Sequence, residues 1–261
     1  MVHFVGAGPG APDLITVRGA ELLGKADIVI YAGSLVNPVL LGLCRKDAII
    51  YNSAEMSLPE LREVFIRGHA KGQEIVRLHT GDGSIYGAIR EQMDELAKEE
   101  IPFDIVPGVS SFCGAAAELQ AEYTLPGVSQ SVIITRMAGR TPVPERESLE
   151  KLAAHGSTMV IFLSAGMMKE VSATLLKGAY TENTPAAIVY KATWPEQKIV
   201  HCTVGTLAEA GETYGIRKTA LILVGDFLGC TYEKSRLYDP EFETEFRKKV
   251  DNPRGDADYV T

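Results

Sequence analysis

Through the first half of the chain, short apolar runs stop at glycine, proline or small polar residues and give way to segments with apolar positions three or four apart. The first run, 1–5, carries two valines and breaks into Gly6-Ala7-Gly8-Pro9-Gly10-Ala11-Pro12-Asp13, which predicts a buried strand ending in a tight loop. Segment 16–26 places Val17, Ala20, Leu22 and Leu23 at helical spacing behind Thr16, with Arg18 and Lys25 outward, so a helix capped by the threonine is predicted. A strand over 27–32, a short helix near 36–44, a strand over 48–51 and a helix from Ser57 follow. That helix carries Leu61, Val64, Phe65 and Gly68 on one face and ends at Gly72.

Alternation over 74–79 predicts a fourth strand that runs into Thr80-Gly81-Asp82-Gly83-Ser84-Ile85-Tyr86-Gly87. Tyr86, Ile89, Met93 and Leu96 then mark an amphipathic helix closing at the charged run 98–100. A strand over 103–106 meets Pro107-Gly108-Val109-Ser110-Ser111, where an alanine-rich helix with serine caps begins. Strand ends of small residues, each followed by a helix, are the pattern of an α/β sheet with one crevice, and ligands bind at such ends.

The pattern breaks at Pro126-Gly127, the predicted link between an N-terminal α/β domain, 1–122, and a C-terminal one, 123–232. Beyond it, strands are predicted over 131–135, 158–163, 185–190, 199–204 and 219–227, a loop over 136–142, and helices over 145–155 and 168–180. The short connector around Lys191-Ala192-Thr193-Trp194-Pro195 implies antiparallel pairing of its flanking strands, and hence a mixed second sheet. A charged tail, 233–261, with Pro240 and Pro253, is expected on the surface or loose.

Composition sets bounds on this picture. At 261 residues and 46% hydrophobic content the chain can bury a sizeable core in one or two domains. No run of about 18 apolar residues and no secretion-signal pattern occurs, so a cytoplasmic protein without membrane attachment is expected. The net charge of −8 and pI near 5.3 oppose general attraction to nucleic acid. Cys44, Cys113, Cys202 and Cys230 lie far apart, suggesting neither a zinc site nor a disulfide framework, and are read as reduced and mostly buried. Walker, His-Glu-x-x-His and Gly-x-Ser-x-Gly motifs are absent, no metal site is expected, and the five histidines, His3, His69, His79, His155 and His201, are scattered.

Gly6, Gly8 and Ala11 fit the Gly-x-Gly-x-x-Gly/Ala dinucleotide fingerprint. Against it, Pro9 has no N–H for a phosphate, Pro12 hinders a helix from starting at the glycines, and the second strand is followed by Ala32, Gly33 and Ser34 rather than an acid for a ribose. A plain turn and a loop shaped for a cofactor without phosphate both remain open.

Other positions carry two readings each. Asp82 could accept bonds from an amino-acid moiety or cap the next helix. Ser110 and Ser111 could hold a ligand or only cap. Tyr31, Ser34 and Tyr86 could face a cleft, or the tyrosines could be core with their hydroxyls at the surface. Arg136 and Arg140 could pair with substrate carboxylates or be solvated.

Taken together, Gly6-Ala-Gly-Pro-Gly10, Thr80-Gly-Asp82 and Val106-Pro-Gly-Val-Ser-Ser111 resemble the tetrapyrrole methylase family of S-adenosylmethionine-dependent enzymes, and the likeness runs through Phe162-Leu163-Ser164 and Thr219-Ala220 to about Gly229. Stretches 31–36, 84–87, 124–130 and 135–142 resemble the branch that methylates precorrin-4 or its cobalt form at ring position 11, in cobalamin biosynthesis. Another corrin-pathway or uroporphyrinogen methyltransferase is the alternative within the family, and a nicotinamide-dependent oxidoreductase the alternative outside it. Uroporphyrinogen-type members carry Asp-Arg where this chain has Ala32, Gly33 and Ser34, and Gly83 stands where many members have proline.

The resemblance implies two α/β domains, a mostly parallel sheet and a mixed one, with the cofactor cleft between them, usually in a homodimer. Carried over by motif, S-adenosyl-L-methionine contacts fall on Pro9, Thr80, Gly81, Asp82, Ile85, Ser110, Ser111, Leu163, Ala192 and Ala220. Tyr31, Ser34 and Arg136 are the candidates for orienting the tetrapyrrole. No catalytic base is singled out.

Overall fold

The computed structural model describes residues 1–249. The continuous apolar runs of the first half become β1 (Val2–Gly6), β2 (Ile28–Tyr31), β3 (Ile49–Asn52), β4 (Ile75–His79) and β5 (Phe103–Val106), paired in a wholly parallel sheet of order β3-β2-β4-β1-β5. Strands buried on both faces need no alternation. One face packs Phe4, Ile30 and Ile75 against α2 (Leu58–Ala70) and α3 (Ile89–Lys98) through Leu61, Phe65 and Leu96. The other packs Val5, Val29 and Val76 against α1 (Val17–Leu23) and the 36–41 segment through Leu23 and Leu40. With every strand pointing the same way, the loops after β1, β2, β4 and β5 all leave from one edge.

Helix α4 (Ser111–Glu118) follows β5, and Ala115, Phe112 and Ala116 lie against the second sheet with Val160, Ala187, Val189 and Leu221. That sheet contains β6 (Val132–Arg136), β7 (Thr158–Phe162), β8 (Pro185–Tyr190), β9 (Lys198–Thr203) and β10 (Ala220–Val224) in the order β6-β7-β10-β8-β9. Of its neighbouring strands β6 and β7 pair in parallel and the rest pair antiparallel, so the sheet is mixed. Its other face is covered by α5 (Leu149–Ala153), α6 (Met168–Leu175) and α7 (Leu207–Thr213). Tyr123 joins the halves: its hydroxyl donates to the Phe112 carbonyl at 2.7 Å and its ring meets Phe227 edge-on.

Several local expectations need correction. Val17 is 78% exposed, because α1 turns its Gly19–Leu23 side to the sheet. The short helix expected near 36–44 is present as a 3₁₀ helix (Pro38–Leu43) capped by Asn37. Strand β4 is buried throughout and does not alternate. Tyr86 precedes α3 instead of lying on it, α6 is much shorter than 168–180, and α7 had no counterpart in the sequence reading. Cys113 is exposed and the other three cysteines are half-buried, all four free. In the tail, 233–249 is largely exposed, while Pro253 and the rest of 250–261 lie outside the described residues.

The loops after β1, β4 and β5 meet without side chains between them. A Cβ on Gly6 would lie 2.6 Å from both the Gly108 Cα and the Gly81 carbonyl oxygen, and one on Gly108 would lie 2.1 Å from that same oxygen. Beyond this contact Gly8 and Gly81 exchange backbone bonds, Gly8 N–H to Gly81 O at 3.2 Å and Gly81 N–H to Gly8 O at 2.8 Å, with φ of +80° and +59°. Gly108→Ala should therefore drive the loops apart, lowering stability by about 1–3 kcal/mol or more in a urea unfolding series, and Gly42→Ala, which meets nothing within 4 Å, should not.

Candidate functional site

Two sheet edges face one another across α4. On the first half, Ala7 to Pro12 follow β1, Thr80 to Ile85 follow β4, and Ser110 opens α4. On the second half, Arg136 pairs with Phe162 at the ends of β6 and β7, and Ala220 pairs with Tyr190 where β10 starts and β8 ends. The structure thus brings Leu163, Ala192, Ala220 and Arg136 to one end of the mixed sheet. Contacts cross the cleft where Tyr86 packs on Phe162 with ring centroids 5.5 Å apart and where the turn 8–11 meets Thr193 and Trp194.

The predicted positions differ in how open they are. Leu163 is 66% exposed and held at φ +52°, a left-handed conformation rare for leucine, so an apolar side chain is presented at the cleft by a strained backbone. Thr80, Asp82, Ile85, Ser111 and Ala220 are half-buried, whereas Pro9, Gly81, Ser110 and Ala192 are buried. Ser110 occupies the N-cap of α4, but its hydroxyl makes no capping bond. Thr16, by contrast, accepts the Gly19 N–H at 3.1 Å as expected.

Of the substrate candidates, Tyr31 ends β2 half-buried and Ser34 is exposed beyond it. Arg136 donates to the carbonyls of Thr141 at 3.1 Å and Pro142 at 2.7 Å, folding its own loop back on itself. Arg140 is exposed.

Asp82 is the polar centre of the first lip. One oxygen accepts the Gly108 N–H at 2.8 Å and the other accepts the Ser84 N–H at 2.8 Å together with the Ser84 hydroxyl. Burial alone would raise its pKa; the bonds from Ser84 and Gly108 outweigh this and hold the carboxyl below its ordinary range. It caps no helix. Its anion ties the β4 loop to the β5 loop, with one lone pair left over for a ligand.

Beneath that loop, β4 buries two basic side chains. Arg77 donates to Gln92 Oε1 at 3.0 Å and to the Ile30 and Leu78 carbonyls at 3.3 Å, and burial lowers its pKa to about 10. His79 stacks on Phe4, its Nε2 has no partner, and burial together with the charge on Arg77 lowers its pKa to about 3. His79 is therefore neutral and sealed, which excludes it as a base in the cleft.

Sequence reasoning missed the residues that shape the turn 8–11: Asn37, Thr193 and Trp194. Asn37 was visible only as a helix-cap residue before Pro38, and Trp194 only as the single tryptophan of the chain.

With this geometry in hand, likeness to known proteins becomes specific. Residues 1–208 match the family described as Tetrapyrrole (Corrin/Porphyrin) Methylases. The cobalt-precorrin-4 C(11)-methyltransferase of Methanocaldococcus jannaschii is 54% identical, over 95% of this chain and 96% of its own length. A crystal structure of a cobalt precorrin-4 methyltransferase superposes with a TM-score of 0.86 at 47% identity, over 88% of this chain and 96% of the other. The uroporphyrin-III C-methyltransferase of Thermus thermophilus, solved as a complex with S-adenosylhomocysteine, gives a TM-score of 0.72 at 25% identity, over 89% and 95% of the two chains.

The sealed histidine generates a pH prediction. Its folded pKa, about 3, lies below its ordinary 6.5, so the stability it contributes is complete above about pH 6.5 and fades as pH falls towards 3, by up to about 1.4 kcal/mol per pH unit. His79→Phe should keep the contact with Phe4 and lose that slope. Urea midpoints measured at pH 7.5 and 5 should fall more steeply for the wild type than for the variant.

Proposed function

The chain belongs to the tetrapyrrole (corrin/porphyrin) methylases, and on that footing we propose that it methylates cobalt-precorrin-4 at ring position 11 in cobalamin biosynthesis, using S-adenosyl-L-methionine. The observation that carries this reading is the 54% identity, held over 95% of the chain, to a protein of that name. The nicotinamide alternative has lost its support, because α1, the α-helix that follows the glycine loop in the chain, starts at Val17, well beyond the glycines, and does not present its N-terminus there as the dinucleotide fingerprint requires.

The residues present fit such a cofactor. Loops 6–12, 80–88 and 107–111 hold no lysine or arginine, and Pro9 offers no N–H, so no side-chain cation here neutralises a diphosphate. Instead, glycine backbone, small hydroxyls and the carboxylate of Asp82 lie on one lip and the apolar Leu163 on the other, a combination suited to a nucleoside joined to an amino acid. When bound, the cofactor supplies an electrophilic methyl group on a sulfonium, which an electron-rich ring carbon can take without a protein nucleophile.

The work left to the chain is placement. Pro9, Thr80, Gly81, Asp82, Ile85, Ser110 and Ser111 would hold the cofactor from the first half, and Leu163, Ala192 and Ala220 from the second. Tyr31, Ser34 and Arg136 would orient the substrate, Arg136 chiefly by shaping loop 137–142. Fixing the reacting atoms in line is worth up to about 7–11 kcal/mol in favourable systems. Leu163 and Tyr86 would keep water from the cleft. We take 1–122 and 123–232 as the two domains, and propose a cytoplasmic homodimer; edge strand β3, with Ile49 and Ile50 exposed, is an apolar border for a second copy.

Calorimetry should show S-adenosylhomocysteine binding to the wild type, and Asp82→Leu, which unties the β4 and β5 loops, should weaken it about tenfold or more. Incubation with methyl-labelled cofactor and either cobalt-precorrin-4 or the metal-free form, read by NMR, should place the label at ring position 11. Label at another ring carbon, or transfer to neither substrate, would reject the assignment.

A further inference from the structure

We propose that Thr193 and Trp194 are positioning residues, a clasp through which the second half sets the shape of the turn 8–11 and with it the affinity for the cofactor. The identity of that ligand rests on the methyltransferase reading; the clasp itself rests on geometry.

The turn makes few bonds of its own. Trp194 Nε1 donates to the Pro9 carbonyl at 3.0 Å, Thr193 Oγ1 accepts the Ala11 N–H at 2.9 Å, and Asn37 Nδ2 donates to the Gly10 carbonyl at 2.8 Å. Two of these three partners come from more than 180 residues away. The indole lies directly on the backbone: a Cβ on Gly10 would stand 2.0 Å from Trp194 Cδ1. Pro9 is also backed by α4, where a Cβ on Gly114 would stand 2.9 Å from the proline Cβ and 3.2 Å from Thr193 Cγ2. The turn, α4 and the clasp thus meet at one point.

The clasp is itself held under strain. Lys191 and Thr193 have φ of +47° and +68°, a region costly for a β-branched residue. The Lys191 N–H donates to the Thr219 carbonyl at 2.9 Å, and the Thr193 N–H donates to Gln197 Oε1. Gln197 Nε2 donates in turn to Glu118 on α4 at 2.7 Å, and the Lys191 ammonium sits 4.8 Å from the Trp194 ring centroid. Between the two strained residues lies Ala192, and beside Thr219 lies Ala220, so the segments that fix the turn also carry the proposed cofactor contacts of the second half. A ligand that touches both halves cannot meet one lip independently of the other.

As the only tryptophan in the chain, Trp194 reports on the clasp by its own emission. On titration with S-adenosylhomocysteine the wild-type emission should change and saturate at the affinity that calorimetry gives. Thr193→Val removes the acceptor at nearly constant shape, and Trp194→Phe removes the indole N–H. Each should weaken binding about five- to tenfold, as loss of one hydrogen bond with its partner left unpaired implies. The loss should appear in KM for the cofactor, with kcat at saturation within about twofold of wild type, and Thr193→Ser should restore affinity. Wild-type affinity in Thr193→Val, or emission unmoved at saturating ligand, would overturn the clasp. If Thr193→Val does not fold, the wild-type emission titration decides alone. Failure of the wild type to bind S-adenosylhomocysteine in calorimetry would instead overturn the methyltransferase reading, and the clasp as a determinant of its affinity with it.

Discussion

The cleft exists because three backbones touch. Gly6 ends β1, Gly81 and Gly108 sit just past the ends of the strands on either side of it, and a single methyl group at Gly6 or Gly108 would overlap the others. Their contact lets Gly8 reach Gly81 and brings the Gly108 N–H within 2.8 Å of Asp82. A side chain at Gly6 or Gly108 would space the loops as ordinary neighbours on a sheet. The fold would survive that in outline, but the cradle would not, because its walls are backbone groups whose positions depend on that spacing.

Electrostatics reinforces the same junction. The Asp82 anion is satisfied by groups of the two loops it joins, so its charge serves assembly before it serves any ligand. Below it, Arg77 keeps its charge by bonding to Gln92 and carbonyls, with no carboxylate partner among its described bonds, and His79 stays neutral. An acidic protein overall thus carries a buried cation under the lip where its proposed ligands, one cationic and one polyanionic, would meet.

Much of this was legible in the sequence, for identifiable reasons. Apolar runs that alternate with helical segments fix a parallel sheet, and the Leu61, Val64, Phe65 and Gly68 face of α2 is buried as its spacing implies. Arg77 and His79 misled, because two polar residues two apart mimic a half-exposed strand, whereas β4 lies in the middle of its sheet. Helix α7 left little trace, since seven residues bury only Leu207 and Gly211. In the site, the small-residue corners marked the first lip. The second lip was legible only through family resemblance, and its hold on the turn 8–11 not at all, because nothing local in Thr193-Trp194 announces a partner in the first dozen residues.

Strain tells the same story from another side. Of the non-glycine residues with left-handed φ among the described residues, Glu100 and Gln120 simply close helices α3 and α4. The remaining six, Tyr86, Ala88, Leu163, Lys191, Thr193 and Thr219, all lie in the loops that border the cleft. Such conformations persist only where the surroundings over-determine them, and here the surroundings are one another: Tyr86 rests on Phe162, the neighbour of Leu163, and Lys191 is bonded to Thr219. The two lips therefore cannot relax separately. A parallel sheet and a mixed sheet are thus coupled at their margins by segments held in strained conformations, so whatever fills the space between them meets both lips as one unit.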